Sequence, residues 1–290
     1  MQFYWFSCLK KEDLLLTAEY SIIPISNDYM FCHVFSDVEK CRELIEVVLG
    51  IRIEEISISI SQKDIKPGAD AHGVRLDVYA VDAMRNMYDI EMQTYSITNL
   101  GKRIRFYHSQ MDNEQISTGE AYDRLRKNIV IFFCCYGDPF NAGRSVYTFM
   151  SQCVNEPSIL LGDDVTSIVL CPGGSYEGVD DKLKNVLEYI RTGEANDDFT
   201  RSIKDRTVEL SNDAGWRSGY MTFETRLYDE NMRGYERGRS EGIEAGLVTG
   251  RTETIIELIK DDIISISDGA TRLGISEDEL KAMMECACSR

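Results

Sequence analysis

The chain has 290 residues, with 32 Lys and Arg against 49 Asp and Glu, and a formal net charge of −17. Its 43% hydrophobic and 28% charged residues are those of a globular protein and exclude collagen, global disorder and a disulfide miniprotein. The acidic balance excludes a protein that coats nucleic acid by bulk charge, which needs clustered Lys and Arg, but not a local site where a short cationic strip stands beside a metal.

Residues 1–26 read as a peripheral lead-in. Phe3 to Cys8, followed by Lys10, Lys11 and Glu12, shows neither a basic leader nor a small-residue cleavage site, so no secretory signal is expected. The longest apolar run, Ile129 to Tyr136, is far short of the roughly 20 residues a membrane span needs. A cytoplasmic protein without membrane contact follows. Nine cysteines without a Cys-x-x-Cys pair read as thiols in a reducing compartment, implying neither zinc nor disulfides.

A first helix is predicted from Asn27 or Asp28 through Phe35, and a second from near Asp37 to a left-handed stop at Gly50. The alternation of Ile56, Ile58 and Ile60 with Ser57 and Ser59 predicts a strand over 53–60. Strands over 74–81 and 87–95 flank the short polar connection Asp82 to Asn86, which predicts an antiparallel hairpin. Leu100, Ile104, Tyr107 and Met111 then fall at helical spacing within 99–116, and strands are expected over 128–136, 145–153 and 165–170. This order predicts an α/β domain with a mixed sheet over residues 27–175.

Polar amphipathic helices over 179–191 and 197–212 form an expected helical layer, residues 176–232. In the tail, 233–290, glycines recur at 234, 238, 242, 246 and 250. A step of four puts them on one slowly drifting helix stripe, so a helix that is marginal alone or stabilised by a partner is expected, with a flexible linker as the alternative. A turn at Gly274 and a capping box, Ser276 with Glu279, introduce a final small helical pair.

Chemistry concentrates in Gly73 to Ala80 and Tyr88 to Gln93. Residues two apart in a strand share a face, so Glu91 and Gln93 point together, and a hairpin turn centred on Met84 sets Asp77 opposite Glu91. Their Cβ atoms would lie about 5 Å apart, where two ionised carboxylates repel unless one is protonated or a cation lies between them. A hard divalent ion such as Mg²⁺ or Mn²⁺ suits two carboxylates and a phosphate oxygen. Gln93 can orient a water or donate to phosphate. Lys102, Arg103 and Arg105 supply a phosphate grip, with Phe106 and Tyr107 packing beneath it or stacking on a base. Read apart from one another, such acids are more often a solvated face or a salt-bridged strand edge than metal ligands.

The segments Asn27-Asp-Tyr-Met-Phe-Cys-His-Val-Phe35, Arg75-Leu-Asp-Val78, Ile90-Glu-Met-Gln93 and Arg103-Ile-Arg-Phe-Tyr107 resemble, in order and spacing, the PD-(D/E)XK nuclease family transposases, also called recombination-promoting nucleases. The resemblance implies a restriction-endonuclease-like core and Mg²⁺-dependent cutting of DNA. By motif match it puts Asp77 and Glu91 in the two acidic metal-binding positions and Gln93, the third catalytic position, where many relatives of the wider superfamily carry Lys. Glu43 or Glu46 could be the auxiliary acid of such folds, the sequence not deciding between them, although a solvated helix face is the better explanation of each.

His33, His72 and His108 are never at ligand spacing with another His or Cys, and packing or surface roles are expected. Arg124, Arg126 and Lys127 either extend a DNA-facing strip beside Arg103 or form a solvated turn. The reading that follows is a Mg²⁺- or Mn²⁺-dependent DNA endonuclease, a homo-oligomer, whose Lys102, Arg103, Arg105 and Tyr107 meet DNA. The alternative is a catalytically silent assembly protein that keeps the nuclease scaffold.

Overall fold

A computed structural model describes residues 21–65, 74–116 and 119–287; most of the expected lead-in, and His72, lie outside them. The first two helices start and stop where short polar residues and glycine dictate. The side chain of Asn27 accepts from the amide of Met30 to open α1 (Asp28–Phe35). Asp37 does the same for Lys40 in α2 (Val38–Leu49), which ends on Gly50 at φ 65°.

Six strands follow: β1 (Ile56–Ile65), β2 (Val74–Asp82), β3 (Met87–Gln93), β4 (Asn128–Cys134), β5 (Val146–Phe149) and β6 (Val165–Leu170). They form one sheet in the order β1-β2-β3-β4-β6-β5. β1, β2 and β3 are antiparallel neighbours, β3, β4 and β6 run parallel, and β5 returns antiparallel on β6. The helix α3 (Leu100–Gln115) crosses from β3 to β4, as a parallel connection requires. The sheet is thus mixed, in agreement with the expected fold class.

Two layers cover it. On one face, α1, α2, α4 (Asp181–Thr192) and α5 (Asp198–Asn212) bury Met30, Phe31, Leu44, Leu187 and Ile203 against Val78, Ile90, Ile131 and Phe133. On the other, α3 buries Leu100, Ile104, Tyr107 and Met111 against Met87, Val130, Phe132 and Val169. β4 contributes to both layers and is buried at every position, which explains why its sequence is a continuous apolar run rather than an alternation.

The expected strand over 53–60 begins later and runs further. The amide of Ile53 donates to Glu46 Oε1 at 2.7 Å, closing the helix-to-strand loop. The register then shifts between Ile56 and Ile58, and Ile60 is exposed. β5 is also shorter than expected, four residues on the edge of the sheet.

The chain divides into two compact units, one ending at Tyr220 and the other beginning at Met221. The glycine-stepped run is helical, within α6 (Ala214–Lys260). In the second unit, Ile255, Ile256 and Ile259 of α6 bury Ala270 of α7 (Ile266–Leu273) and Leu280 of α8 (Glu277–Ala287). Gly274 stops α7 at φ 70°, and Ser276 and Glu279 exchange hydrogen bonds as the expected capping box. Among the described residues no helix is long and apolar enough to cross a membrane.

Candidate active site

The β2–β3 hairpin has the register that a turn centred on Met84 requires: Val78 pairs with Ile90 and Val81 with Met87. Asp82 builds the turn, its carboxylate accepting from the amides of Met84 and Asn86, the Asn86 side chain and the Tyr88 hydroxyl.

Beyond Val78 and Ile90, carboxylates take over from the backbone. The amide of Asp77 donates to Glu91 Oε1 at 2.9 Å, and the amide of Met92 donates to Asp77 Oδ2 at 3.0 Å. Leu76 and Val78, two residues apart, pack into opposite layers, so the pleat is broken across Asp77. Each acid thereby satisfies a donor of the other's strand, and the two carboxyl groups are pinned side by side where the strands part.

Burial is the main cost of this arrangement. It lifts the Asp77 carboxyl to about 6, and it lifts Glu91 well above the usual carboxylate range, with the charges of Asp77 and Asp89 adding to the effect. Asp89, two residues before Glu91 on the same strand face, is fully buried, and neither of its oxygens has a hydrogen-bond partner among the described residues. Burial and the charge of Asp77 raise it as well.

A fourth acid comes from α1. Asp28, whose Oδ1 accepts from the amide of Tyr29, lies within electrostatic reach of Asp77. Glu43 and Glu46 do not. Glu46 is held by Arg42 and the amide of Ile53, and Glu43 is exposed on α2, facing Lys182.

Arg103 of α3 reaches into the acids. Its Nη2 meets Glu91 Oε2 at 3.4 Å, its Nη1 donates to Gln93 Oε1 at 3.2 Å, and its Nε donates to the Tyr107 hydroxyl at 2.7 Å. Its guanidinium carbon lies 5.2 Å from the centre of the Tyr107 ring. Tyr107 therefore packs beneath the arginine, and its buried ring is not open to a stacking base. Gln93 is buried, and its Nε2 donates to the Tyr95 carbonyl at 3.0 Å. Lys102 and Arg105 are exposed on the same helix.

Arg124, Arg126 and Lys127 do not extend this strip. They precede Asn128, which pairs with Met87, so they lie at the far end of β3 from Gln93, about 20 Å away at 3.3 Å per residue. A cavity of about 620 Å³ opens at that far end, around Arg52, Asp82, Met84, Lys127 and Asp163, and none of Asp28, Asp77, Asp89 and Glu91 lines it. His33 Nδ1 donates to the Tyr29 carbonyl, and His108 is buried against Asn128 and Ser167, both in packing roles.

Asp28 and Asp89 are the residues that sequence reasoning missed. Asp89 was within reach of the two-residue strand period, since 89, 91 and 93 share a face. Asp28 carries no local signal, because only the packing of α1 on β2 brings it to Asp77.

A mixed sheet between helical layers, with paired acids where an antiparallel hairpin opens toward a helix-borne cation, defines a nuclease-type α/β fold. Residues 25–156 match the model of one such family, the PD-(D/E)XK nuclease family transposases, and the resemblance carried by the motifs holds over that segment. The family supports a nuclease-type function linked to transposition. No curated protein and no solved structure matches the chain.

Proposed function

We propose that the protein is a metal-dependent DNA endonuclease that hydrolyses phosphodiester bonds in transposition or recombination, in the cytoplasm. The observation that carries this reading is the reciprocal pinning of Asp77 and Glu91, two buried carboxyls held side by side at the parted strands.

The donors fit a hard divalent ion. Oxygen ligands, two of them carboxylates whose charges repel, favour Mg²⁺ or Mn²⁺. Among the described residues no three His, Cys, Asp or Glu side chains form a ready-made metal cage, and Mg²⁺ commonly takes only one or two carboxylates, completing its shell with water and substrate phosphate. Asp77 and Glu91 are the residues that would hold it. When bound, such an ion polarises a phosphoryl oxygen and lowers the pKa of a bound water.

The chain's own residues then orient the substrate. Lys102 and Arg105, exposed on the first turns of α3, would take backbone phosphates, and Arg103 with Tyr107 beneath it lies inward of them at the acids. Gln93, on the strand face of Glu91, bounds the site. Hydrolysis forms one bond from the water oxygen to phosphorus and breaks one from phosphorus to the leaving deoxyribose oxygen. The water's protons are shared between solvent and the leaving oxygen.

Purified protein incubated with plasmid DNA and Mg²⁺ tests the reading. Nicking is expected, with loss of activity in Asp77→Ala and Glu91→Ala. Absence of nicking, or variants that nick as well as the parent, would remove the enzymatic assignment.

A second reading, a silent assembly protein, draws on α6. Gly234, Gly238, Gly242, Gly246 and Gly250 each face open space, although each costs the helix about 1 kcal/mol relative to Ala. Tyr228, Tyr235, Ile243 and Leu247 are exposed along the same helix. Close approach by a second copy would use both features, and we propose a homo-oligomer formed there. Calorimetric titration with Mn²⁺ separates the readings. Heat lost in Asp77→Asn supports the nuclease; no heat, with an oligomer abolished by truncation at Tyr235, supports the assembly protein.

A further inference from the structure

Arg103 differs from its two cationic neighbours on α3. Lys102 and Arg105 are exposed, whereas the Arg103 side chain is 34% exposed and its fork is committed inward at all three kinds of nitrogen. Gln93 is equally committed. Its amide nitrogen is held by the Tyr95 carbonyl, which turns its oxygen toward Arg103. A continuous relay thus runs from the Tyr95 carbonyl through Gln93 and Arg103 to Glu91, with the Tyr107 hydroxyl closing the other side of the fork.

From this geometry we infer that Arg103 is the cation of the reacting phosphate, supplied to the acids from α3, and that Gln93 and Tyr107 are positioning residues that hold its fork. The inference rests on the nuclease reading. It separates Arg103 from the backbone-binding strip formed by Lys102 and Arg105, and it gives Gln93 a role other than holding water or phosphate.

The physical reasons are three. Asp77, Asp89 and Glu91 put three carboxyls within mutual electrostatic reach, and a site that must admit a phosphodiester anion needs positive charge beside them. A guanidinium presents its donors in a planar fork that can span two acceptors at once, which a lysine ammonium cannot match in geometry. A donor fixed before the reaction stabilises the charge that builds on phosphoryl oxygens without reorganising. The Nη2 to Glu91 distance of 3.4 Å is long for a charge-assisted bond, so this contact is the easiest of the three to exchange for a phosphate oxygen.

Two measurements, made on the full chain, test the assignment. The first sets the single-turnover cleavage rate at saturating DNA against DNA affinity in metal-free buffer. Arg103→Ala is expected to slow cleavage about 100-fold or more, the loss typical of a transition-state donor, while DNA affinity changes less than about threefold because the exposed strip is intact. Lys102→Ala and Arg105→Ala should each weaken DNA affinity more than Arg103→Ala does. Arg103→Lys keeps the charge and should recover only part of the rate, and Gln93→Leu should slow cleavage about 10-fold without weakening DNA binding, as expected for lost positioning.

The second measurement needs no cleavage. Arg103 repels a cation at Glu91, so Arg103→Gln, which retains a hydrogen-bonding head, should bind Mn²⁺ about threefold or more tightly than the parent by calorimetry. Circular dichroism confirms that the variants are folded. Arg103→Ala that loses DNA affinity as Lys102→Ala does, with an unchanged rate at saturation, would overturn the inference. Should the parent protein prove inactive, the nuclease reading fails by itself, and an unchanged Mn²⁺ affinity in Arg103→Gln then overturns the placement of Arg103 as well.

Discussion

Glu91 accepts the backbone amide of Asp77 through Oε1 and faces the guanidinium of Arg103 through Oε2 at the same time. One side chain therefore ties the parted strands β2 and β3 to the helix α3. Its neighbours Asp77 and Asp89 are acids as well, and burial raises all three carboxyls, so the shape of Glu91 supports the fold while ionising it opposes the fold.

Glu91→Gln separates these two contributions. The amide oxygen can still accept from Asp77, and a negative charge can no longer form there. In metal-free buffer at pH 8 the variant is expected to melt at the parent's temperature or a few degrees above it, since a buried charge without full compensation is a net cost. Its Mn²⁺ binding heat should disappear. Differential scanning calorimetry and isothermal titration check the two halves, and a variant that melts well below the parent would show that the charge itself holds the strands.

Asp82 organises the hairpin that delivers both acids. Its carboxylate takes four donors, among them the hydroxyl of fully buried Tyr88. Asp82→Ala strands that hydroxyl and two turn amides, and should cost about 2 kcal/mol or more, the usual penalty for a buried donor left unmade. Asp82→Asn retains an acceptor oxygen and should cost less. Urea unfolding curves of the two variants give the comparison.

His108 makes stability depend on pH. Asn128 donates its amide hydrogens to the His108 carbonyl and Asp112 Oδ1, so its oxygen faces His108 Nδ1, which is the ring's donor; Nε2 then accepts from Ser167. Burial holds this imidazole's pKa below the ordinary 6.5. The unfolded chain binds the proton more readily than the folded one, so folding loses stability as pH falls below about 6.5 and keeps it above. His108→Gln abolishes that dependence. The melting temperature of the parent should approach or fall below that of the variant between pH 7.5 and 5, and the raised carboxyls of the site, common to both proteins, cancel in the difference.

Two glycines of the second unit should respond in opposite ways. A methyl at Gly269 would come within 2.7 Å of Ile259 Cδ1 and 3.0 Å of Ile255 Cγ2, so Gly269→Ala overpacks the small cluster of α6, α7 and α8 and should cost about 1–3 kcal/mol. A methyl at Gly242 meets nothing among the described residues, and Gly242→Ala should stabilise α6 by about 1 kcal/mol. Limited proteolysis within 221–287 reads both. If a second copy packs on the glycine face, Gly242→Ala should also weaken self-association by sedimentation velocity.

The sequence by itself determined the elements and the hairpin. Asn27, Asp37, Gly50, Gly274 and the Ser276–Glu279 pair act through bonds a few residues long, so their effect is legible without a fold. The polar turn between Val81 and Met87 fixed the register that brings Asp77 to Glu91, because an antiparallel ladder propagates from its turn. The start of β1 was not legible, since Glu46 captures the amide of Ile53 across a loop. Tertiary structure alone decided which acid of the early helices approaches Asp77, that Asp89 is buried with no hydrogen-bond partner among the described residues, and that Arg103 turns inward while Lys102 and Arg105 stay in solvent. Those outcomes depend on how α1 and α3 pack on opposite faces of the sheet, and contacts such as Arg103 with Glu91, 12 positions apart, or Asp28 near Asp77, 49 apart, leave no mark in the local pattern of either segment.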